Sequence, residues 1–401
     1  MKKQIVIAGN GFAGLWAALS AARAVSLAGK EQDIEVTVVS PSPTLIIRPR
    51  LYEAALDNVS PDLGALFQAV GISHVAGRVD TIRTETREVD VDGADGHHTL
   101  AFDKFILATG SVLYQPPVPG LAEHGFNVDQ FAAAKALDAH LQSLADQPDR
   151  VARNTVVVVG GGLTGIETAA EMPRRLRAIL GGTVAIRVVL IEQAPVVGSH
   201  LGAAARSVVE QALAACGVEI ITDTAVSAIE AGRMVTSTGR IIETDTVVWT
   251  TGARANPLAA QIAGEHDRLG RIHADPYLRA GSVTDVFVAG DVAYAASDKI
   301  GNHALMSCQH ALSLGRVAGY NAAAELVGLP LHPYSQPKYV TCIDLGPWGG
   351  LYTEGWDPQV RLTRDEAKAL KVEITTKWIY PPAADHDAAF AIANPDFVIV
   401  P

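Results

Sequence analysis

Two glycine clusters carry the first chemical signal in this chain, Gly9-x-Gly11-x-x-Gly14 and Gly160-x-Gly162-x-x-Gly165. Each follows a short apolar run, Gln4–Ala8 in one case and Val156–Val159 in the other, and each opens a helical stretch. Glycines at these spacings make a tight turn, let the backbone approach a pyrophosphate, and let helix and strand pack closely. The helix that starts there offers unpaired N–H groups and partial positive charge to phosphate oxygens. A lone cluster of this kind says little. With a strand before it, a helix after it and a second strand beyond, it reads as a dinucleotide site.

The second site is the more complete. Its next strand, Val188–Ile191, ends in Glu192. A carboxylate there suits the 2′- and 3′-hydroxyls of a ribose and repels a 2′-phosphate, which favours NADH over NADPH. In the first site Ser40 holds that place, a hydroxyl without the charge. Two sites in one chain point to a flavin and a nicotinamide placed to pass a hydride. The binding candidates are Gly9, Gly11, Phe12, Ala13, Gly14 and Ser40 in the first site. In the second they are Gly160, Gly162, Leu163, Thr164, Gly165 and Glu192.

The elements that must position these residues recur in order. Strand, glycine turn, helix and strand occur once from Gln4 to Val39 and again from Thr155 to Ile191. Phe105–Ala108 is a strand ending in Thr109-Gly110, and Thr246–Thr250 ends in Thr251-Gly252. Val286–Ala289 runs into Gly290-Asp291. The stiff PPVPG at 116–120 marks a boundary. Ala132–Leu144, Leu163–Leu180 and His303–Leu326 read as helices, with Pro173 expected to kink or break the second. Beyond Pro330, Tyr339–Leu345 and Leu351–Gly355 form a hairpin about Pro347–Gly350, and Arg364–Tyr380 reads as a final helix stopped by Pro381-Pro382. The predicted fold is α/β, with two Rossmann-like dinucleotide-binding domains, the second inserted in the first, and a small α+β C-terminal region. Residues 1–115 and 254–330 form the FAD-binding domain, 116–253 the NADH-binding domain, and 331–401 an acceptor-side or interface region.

Composition sets the outer limits. The 401 residues are 48% hydrophobic and 19% charged, enough apolar material for a large core. A net charge of −11 with no long basic run argues against a nucleic-acid partner. Cys216, Cys308 and Cys342 form no C-x-x-C pair and no metal-ligand spacing, so no metal is expected and a reducing cytoplasm fits them. Lys2 and Lys3 before the apolar stretch 5–22 imitate a signal peptide, but the glycine turn inside it accounts for that pattern better.

At this point the chain resembles the two-dinucleotide-binding flavoprotein reductases, the pyridine nucleotide–disulfide oxidoreductase superfamily. "FILATGS", "WTTGARANP" and "DVFVAGDVA" match its other landmarks. The resemblance gives Asp291 the flavin's ribityl chain and Val79, in "GRV", the adenine; Ala108, Thr109, Gly110 and Gly290 join the FAD set and Thr251 and Gly252 the NADH set. The stretch 40–52 lacks the redox cysteines of the disulfide reductases, so no thiol relay is expected. "RPRLYEAAL", "VVGGGLTGIETAAEM", "WTTGARANPL" and "CQHALSLGRVAGYN" are similar to the type II NADH:quinone oxidoreductase branch. That resemblance implies Glu167 near the nicotinamide and acceptor and Gln309 where the quinone enters; Arg48 and Arg50 read as contacts either to flavin phosphates, the reading favoured for Arg48, or to surface carboxylates. The branch's Ala-Gln-x-x-x-Gln pattern stands here as Cys308-Gln309-x-x-x-Ser313.

The expected reaction is hydride transfer from NADH to FAD, then two electrons to a quinone-type acceptor. Two rivals stay open: an NADH-dependent flavoprotein reductase for a small molecule or an iron–sulfur or rubredoxin partner, and a flavoprotein redox sensor. Arg361, Arg364, Lys368, Lys371, Lys377, Trp378 and Ile379 suggest either peripheral contact with the inner membrane face or a helix packed on the body or in a homodimer. His303 and His310 read as structural, and Trp348 and Trp356 as core or interface.

Overall fold

The computed structural model describes residues 2–94, 96–281 and 283–398. Its first sheet has six strands, in the order Arg279–Ala280, Val283–Val288, Lys104–Leu107, Lys3–Ala8, Ile34–Ser40, Ile72–Ala76. All neighbouring pairs are parallel except the first. Parallel strands covered on both faces read as unbroken apolar runs, and Ile5, Ile7, Val38, Phe105, Ile106 and Phe287 are all buried.

The helix Phe12–Leu27 leaves the first strand and lies against the long helix Cys308–Val327. Gly315 and Gly319 make that contact, because a Cβ on either would meet a carbonyl oxygen of the first helix, at 2.3 Å on Ala13 and 2.0 Å on Ala17. The two helix axes are thus held backbone against backbone, with both N-termini at the C-terminal edge of the sheet, where ligands of open α/β sheets bind.

The second sheet is parallel throughout, in the order Val218–Ile221, Arg187–Ile191, Thr155–Val159, Thr246–Trp249, Gly125–Phe126. The chain passes from the first sheet to the second along Ser111–Leu113 and returns along Ala253–Ala255, and these two crossings pair antiparallel. The last section forms a three-stranded antiparallel sheet, Val340–Asp344, Gly350–Glu354 and Gln359–Thr363, followed by the helix Arg364–Glu373.

Several elements differ from the sequence reading. Leu163–Leu180 is one continuous helix through Pro173. Proline in a helix interior removes one hydrogen bond and costs ~3 kcal/mol, but eleven residues of this helix, Pro173 among them, are buried. The long helix begins at Cys308 rather than His303, because the Ser307 hydroxyl accepts from His310 N–H and caps it there. The hairpin gains a third strand. The helix expected to be the last, over Arg364–Tyr380, ends at Glu373 and is followed by a π-helical turn over Ile374–Trp378, and a further helix, His386–Ile392, capped by Asp385, lies beyond Pro381-Pro382. Lys371 and Lys368 turn inward from the helix Arg364–Glu373 rather than adding to an outer basic face.

Candidate functional site

The six fingerprint glycines divide by what requires them. Gly9 and Gly160 have φ of +99° and +109°, which L side chains rarely adopt. Gly14 and Gly165 are packing glycines: a Cβ there would sit 1.9 Å from Gly9 O and 1.8 Å from Gly160 O. Neither reason applies to the middle pair. Gly11 has φ −64° and Gly162 φ −74°, open to any residue. A Cβ on either meets nothing within 4 Å. What a Cβ would fill is open space at the mouth of a helix, which is where a pyrophosphate lies against backbone.

Both helix starts also lack a side-chain cap, whereas Ser307, Asn256 and Asp385 cap theirs. The first-turn N–H groups of Phe12 and Ala13, and of Leu163 and Thr164, therefore remain for an outside acceptor. An anion that brings its own oxygens fits both places.

Around the first turn the FAD candidates converge. Ala108 donates to Ala8 O at 3.0 Å, holding the two strand ends together. Next to it the buried Thr109 Oγ1 has no partner among the described residues, a hydroxyl aimed at something beyond the protein. Gly110 and Gly290 both take positive φ. Asp291 accepts from Ser111 Oγ at 2.6 Å and lies 3.7 Å from the Arg48 guanidinium. Burial pushes its carboxyl up, against the pull of Arg48 and Ser111. Val79 is buried in the strand Arg78–Arg83, directly after Gly77, whose N–H donates to Ser40 O at 3.0 Å. These residues fit a flavin nucleotide.

Two candidates are engaged otherwise than the sequence suggested. Ser40 Oγ donates its proton to Ser42 O at 2.8 Å and meets His74 Nε2 at 2.9 Å, so a ribose hydroxyl can find there only an acceptor. Arg48 is ion-paired to Asp129, donates to Ser111 Oγ at 3.2 Å, and stands beside Asp291. It flanks the ribityl-side carboxylate rather than the helix start.

In the second site Glu192 is set before any ligand arrives. Its Oε2 accepts from Gly161 N–H at 2.5 Å and its Oε1 from Ala194 N–H at 2.8 Å. Each oxygen keeps lone-pair capacity for a ribose hydroxyl. Thr250 Oγ1 donates to Val159 O at 2.9 Å, and Thr251 packs where a Cβ on Gly160 would be, so the strand ends are locked together. Gly252 takes φ +95°.

Between the two sites lies a buried ion pair. Glu167, one turn into the second fingerprint helix, is buried, and its Oε1 accepts from Lys371 Nζ at 2.7 Å and from Asp344 N–H at 2.9 Å. Burial pushes the Glu167 carboxyl up, and Lys371 opposes it. Burial pulls the Lys371 ammonium down, but the charge and hydrogen bond of Glu167, with Cys342 and Cys308, together leave it raised. Lys371 also donates to Cys342 O at 3.0 Å. Gln309 stands nearby with its amide turned to the strand Val340–Asp344: Nε2 donates to Val340 O at 2.8 Å and Oε1 accepts from Val340 N–H at 3.4 Å. One Nε2 proton remains for an acceptor.

Burial raises the thiols of Cys308 and Cys342, the latter to about 12, so both stay protonated near neutral pH. The three cysteines are free. His310 is buried, pushed down to about 4 by burial, and stacked against Tyr339, which suits the structural role expected of it. The sequence reading singled out Glu167 and missed its partners Lys371 and Asp344. Lys371 was read as one of a row of basic residues, and only a strand ending beside the helix reveals that it points in.

The chain matches the family model described as pyridine nucleotide-disulphide oxidoreductase over residues 3–315. It is 45% identical over 383 residues to an NADH dehydrogenase-like protein of Mycobacterium tuberculosis, covering 94% of each chain. It is 28% identical over 359 residues to the demethylphylloquinone reductase of Synechocystis, covering 87% of this chain and 86% of that one. Among solved structures, NDH2 from Plasmodium falciparum in complex with NADH superposes with a TM-score of 0.76 at 13% identity, covering 98% and 97% of the two chains.

Proposed function

The chain belongs to the pyridine nucleotide-disulphide oxidoreductase family and is an NADH dehydrogenase with FAD and NADH as its cofactors; from that premise we propose that its electron acceptor is a quinone. The overall change is NADH plus quinone plus one proton giving NAD⁺ and quinol. NADH supplies the hydride and solution supplies the remaining proton.

The bound flavin supplies a two-electron store between donor and acceptor. The protein's own groups do the rest. The Phe12 helix start and Asp291 hold the flavin nucleotide; the Leu163 helix start and Glu192 hold NADH. Glu167 presents Oε2 to the acceptor and delivers a proton there, and Lys371 offsets the negative charge it leaves behind. Gln309 donates its free amide proton to a quinone oxygen. Cys308 and Cys342 take no part, because burial keeps their sulfurs protonated.

The observation that carries this reading is the Glu167–Lys371 pair, a buried acid whose Oε1 is held by an ammonium and a backbone N–H. The demethylphylloquinone reductase of Synechocystis, similar along most of its length, supports the same class of acceptor. The test is anaerobic reduction of the holoenzyme with NADH, then rapid mixing with a panel of quinones. Fast quinone reoxidation is expected. Reoxidation by quinones no faster than by dioxygen, together with fast turnover on an iron–sulfur or rubredoxin partner, would overturn it.

A further inference from the structure

The stretch 48–52 sends alternate side chains into three regions. Arg48 reaches Asp129 and Asp291. Arg50 donates to Tyr380 OH at 2.7 Å, near the end of the C-terminal section. Tyr52 is buried, and its hydroxyl donates to Asp344 Oδ2 at 3.0 Å. Its carbonyl accepts from Arg175 Nη1 at 3.2 Å, on the Glu167 helix. Asp344 in turn collects contacts on every polar atom it offers. Its N–H goes to Glu167 Oε1, its Oδ1 takes the Lys368 ammonium and the Gly346 N–H, and its Oδ2 takes Tyr52.

One consequence is directional. Two donors saturate Glu167 Oε1 from fixed backbone and a buried ammonium, so the carboxyl cannot rotate without breaking both. We propose that Asp344 is a positioning residue for Glu167, fixing Oε1 and with it the orientation of the carboxyl group, and that Tyr52 holds Asp344 in that role. This rests on the reading of Glu167 as the acid of the acceptor half-reaction.

The charges around Glu167 make the proposal quantitative in sign. Lys371 faces it from the helix Arg364–Glu373, Asp344 and Cys342 from the strand Val340–Asp344, and Tyr52 from the stretch 48–52. The Glu171–Arg174 pair lies one turn further along its own helix, and Cys308 faces Lys371 from the long helix. Asp344 raises the proton affinity of Glu167 and Lys371 lowers it. Asp344→Asn keeps the N–H but removes a negative charge and frees Lys368, so Glu167 must titrate lower. Tyr52→Phe removes a donor from Asp344, leaves that charge less screened, and must move Glu167 higher. A scaffold role would shift stability or flavin content, and it has no reason to move one titration in opposite directions.

The test uses holoenzyme throughout. The infrared band of the protonated Glu167 carboxyl, assigned by its loss in Glu167→Gln, is titrated in wild type, Asp344→Asn and Tyr52→Phe. The NADH-driven half-reaction is followed as an internal control, and reoxidation is compared between a short-chain quinone, which takes protons, and ferricyanide, which takes only electrons. The expected result is a lower midpoint in Asp344→Asn, a higher one in Tyr52→Phe, and quinone reoxidation slowed at least about tenfold with ferricyanide rates retained. Midpoints that stay put or move together, or equal slowing with both oxidants, overturn the proposal. If Asp344→Asn does not fold, Tyr52→Phe, which changes one atom, decides alone. A wild-type enzyme that ignores quinones would remove the acceptor assignment, while the infrared midpoints still decide the role of Asp344.

Discussion

Replacing Gly11 or Gly162 by alanine separates what the protein needs from what its ligands need. In the protein alone the change is close to neutral. The backbone at both positions suits alanine, with φ −64° and −74°, and the new methyl meets nothing within 4 Å. Reduced freedom of the unfolded chain gains about 0.4–1 kcal/mol. Alanine is a poorer N-cap than glycine, by ~1 kcal/mol or less. The two roughly cancel, so the melting temperature of the flavin-free protein should move by no more than about 2 °C. Binding is another matter. A methyl carbon projects about 1.5 Å into the space where phosphate oxygens approach the backbone, enough to stretch an N–H···O contact beyond hydrogen-bonding range. Losing two charge-assisted bonds of about 1.5–3 kcal/mol each removes 3–6 kcal/mol, or roughly 10²- to 10⁴-fold in affinity. FAD titration of the flavin-free protein by fluorescence quenching, and NADH titration of the holoprotein, read the two sites separately. Gly11→Ala should lose FAD. Gly162→Ala should keep FAD and lose NADH. Undiminished affinity in both would refute the account of the middle glycines, and the reverse pattern would mean the two sites are assigned backwards.

Two further outcomes follow from single residues. Glu192→Gln places an amide NH₂ against Gly161 N–H or Ala194 N–H, and should weaken NADH by about 10- to 100-fold. It should also lift a repulsion of about 4 kcal/mol toward a 2′-phosphate at 4 Å and an effective dielectric of 20, so the NADH/NADPH preference measured by stopped-flow reduction must fall; equal losses for both would reduce Glu192 to a loop support. His310 is held neutral by burial at about 4 against an ordinary 6.5, so the unfolded state binds the extra proton between those values and stability falls as pH drops from 6.5 to 4, by up to about 3 kcal/mol. Denaturant melts across that range in wild type and His310→Phe check it, with the slope expected to flatten in the variant.

The parts of the molecule legible in the sequence are those with local causes. The glycine turns announce themselves because φ and close packing act over a few residues, and the parallel strands because burial on both faces leaves them wholly apolar. The starts of helices were less sharp: Ser307 ends the non-helical approach to Cys308, a hydrogen bond that no hydrophobic period reports. Pro173 misled for the opposite reason, since its local cost is outweighed by burial along the whole helix. Glu167 was identified through its place in a recognised motif, but its chemistry depends on Lys371, 204 positions away in sequence and 2.7 Å away in space. No spacing rule reaches across that distance.

That long-range pairing has a functional logic of its own. The two nucleotide turns are built from short segments that repeat one another, whereas on the proposed reading the acceptor side draws on the Glu167 helix, the stretch 48–52, the strands after Val340 and the helix Arg364–Glu373. On that reading cofactor binding and acceptor handling draw on largely different segments, joined by contacts such as Arg48 with Asp291 and Glu167 with Lys371. On the proposed reading, changes in the section after Val340 are expected to alter acceptor use while leaving FAD and NADH bound as before. A chain whose Cys308–Ser313 segment differs from the branch pattern at two positions, Cys308 and Ser313, yet keeps both nucleotide turns whole, is the state such an arrangement permits. Since the Glu167–Lys371 pair crosses that divide, it is where a change of acceptor must be felt first.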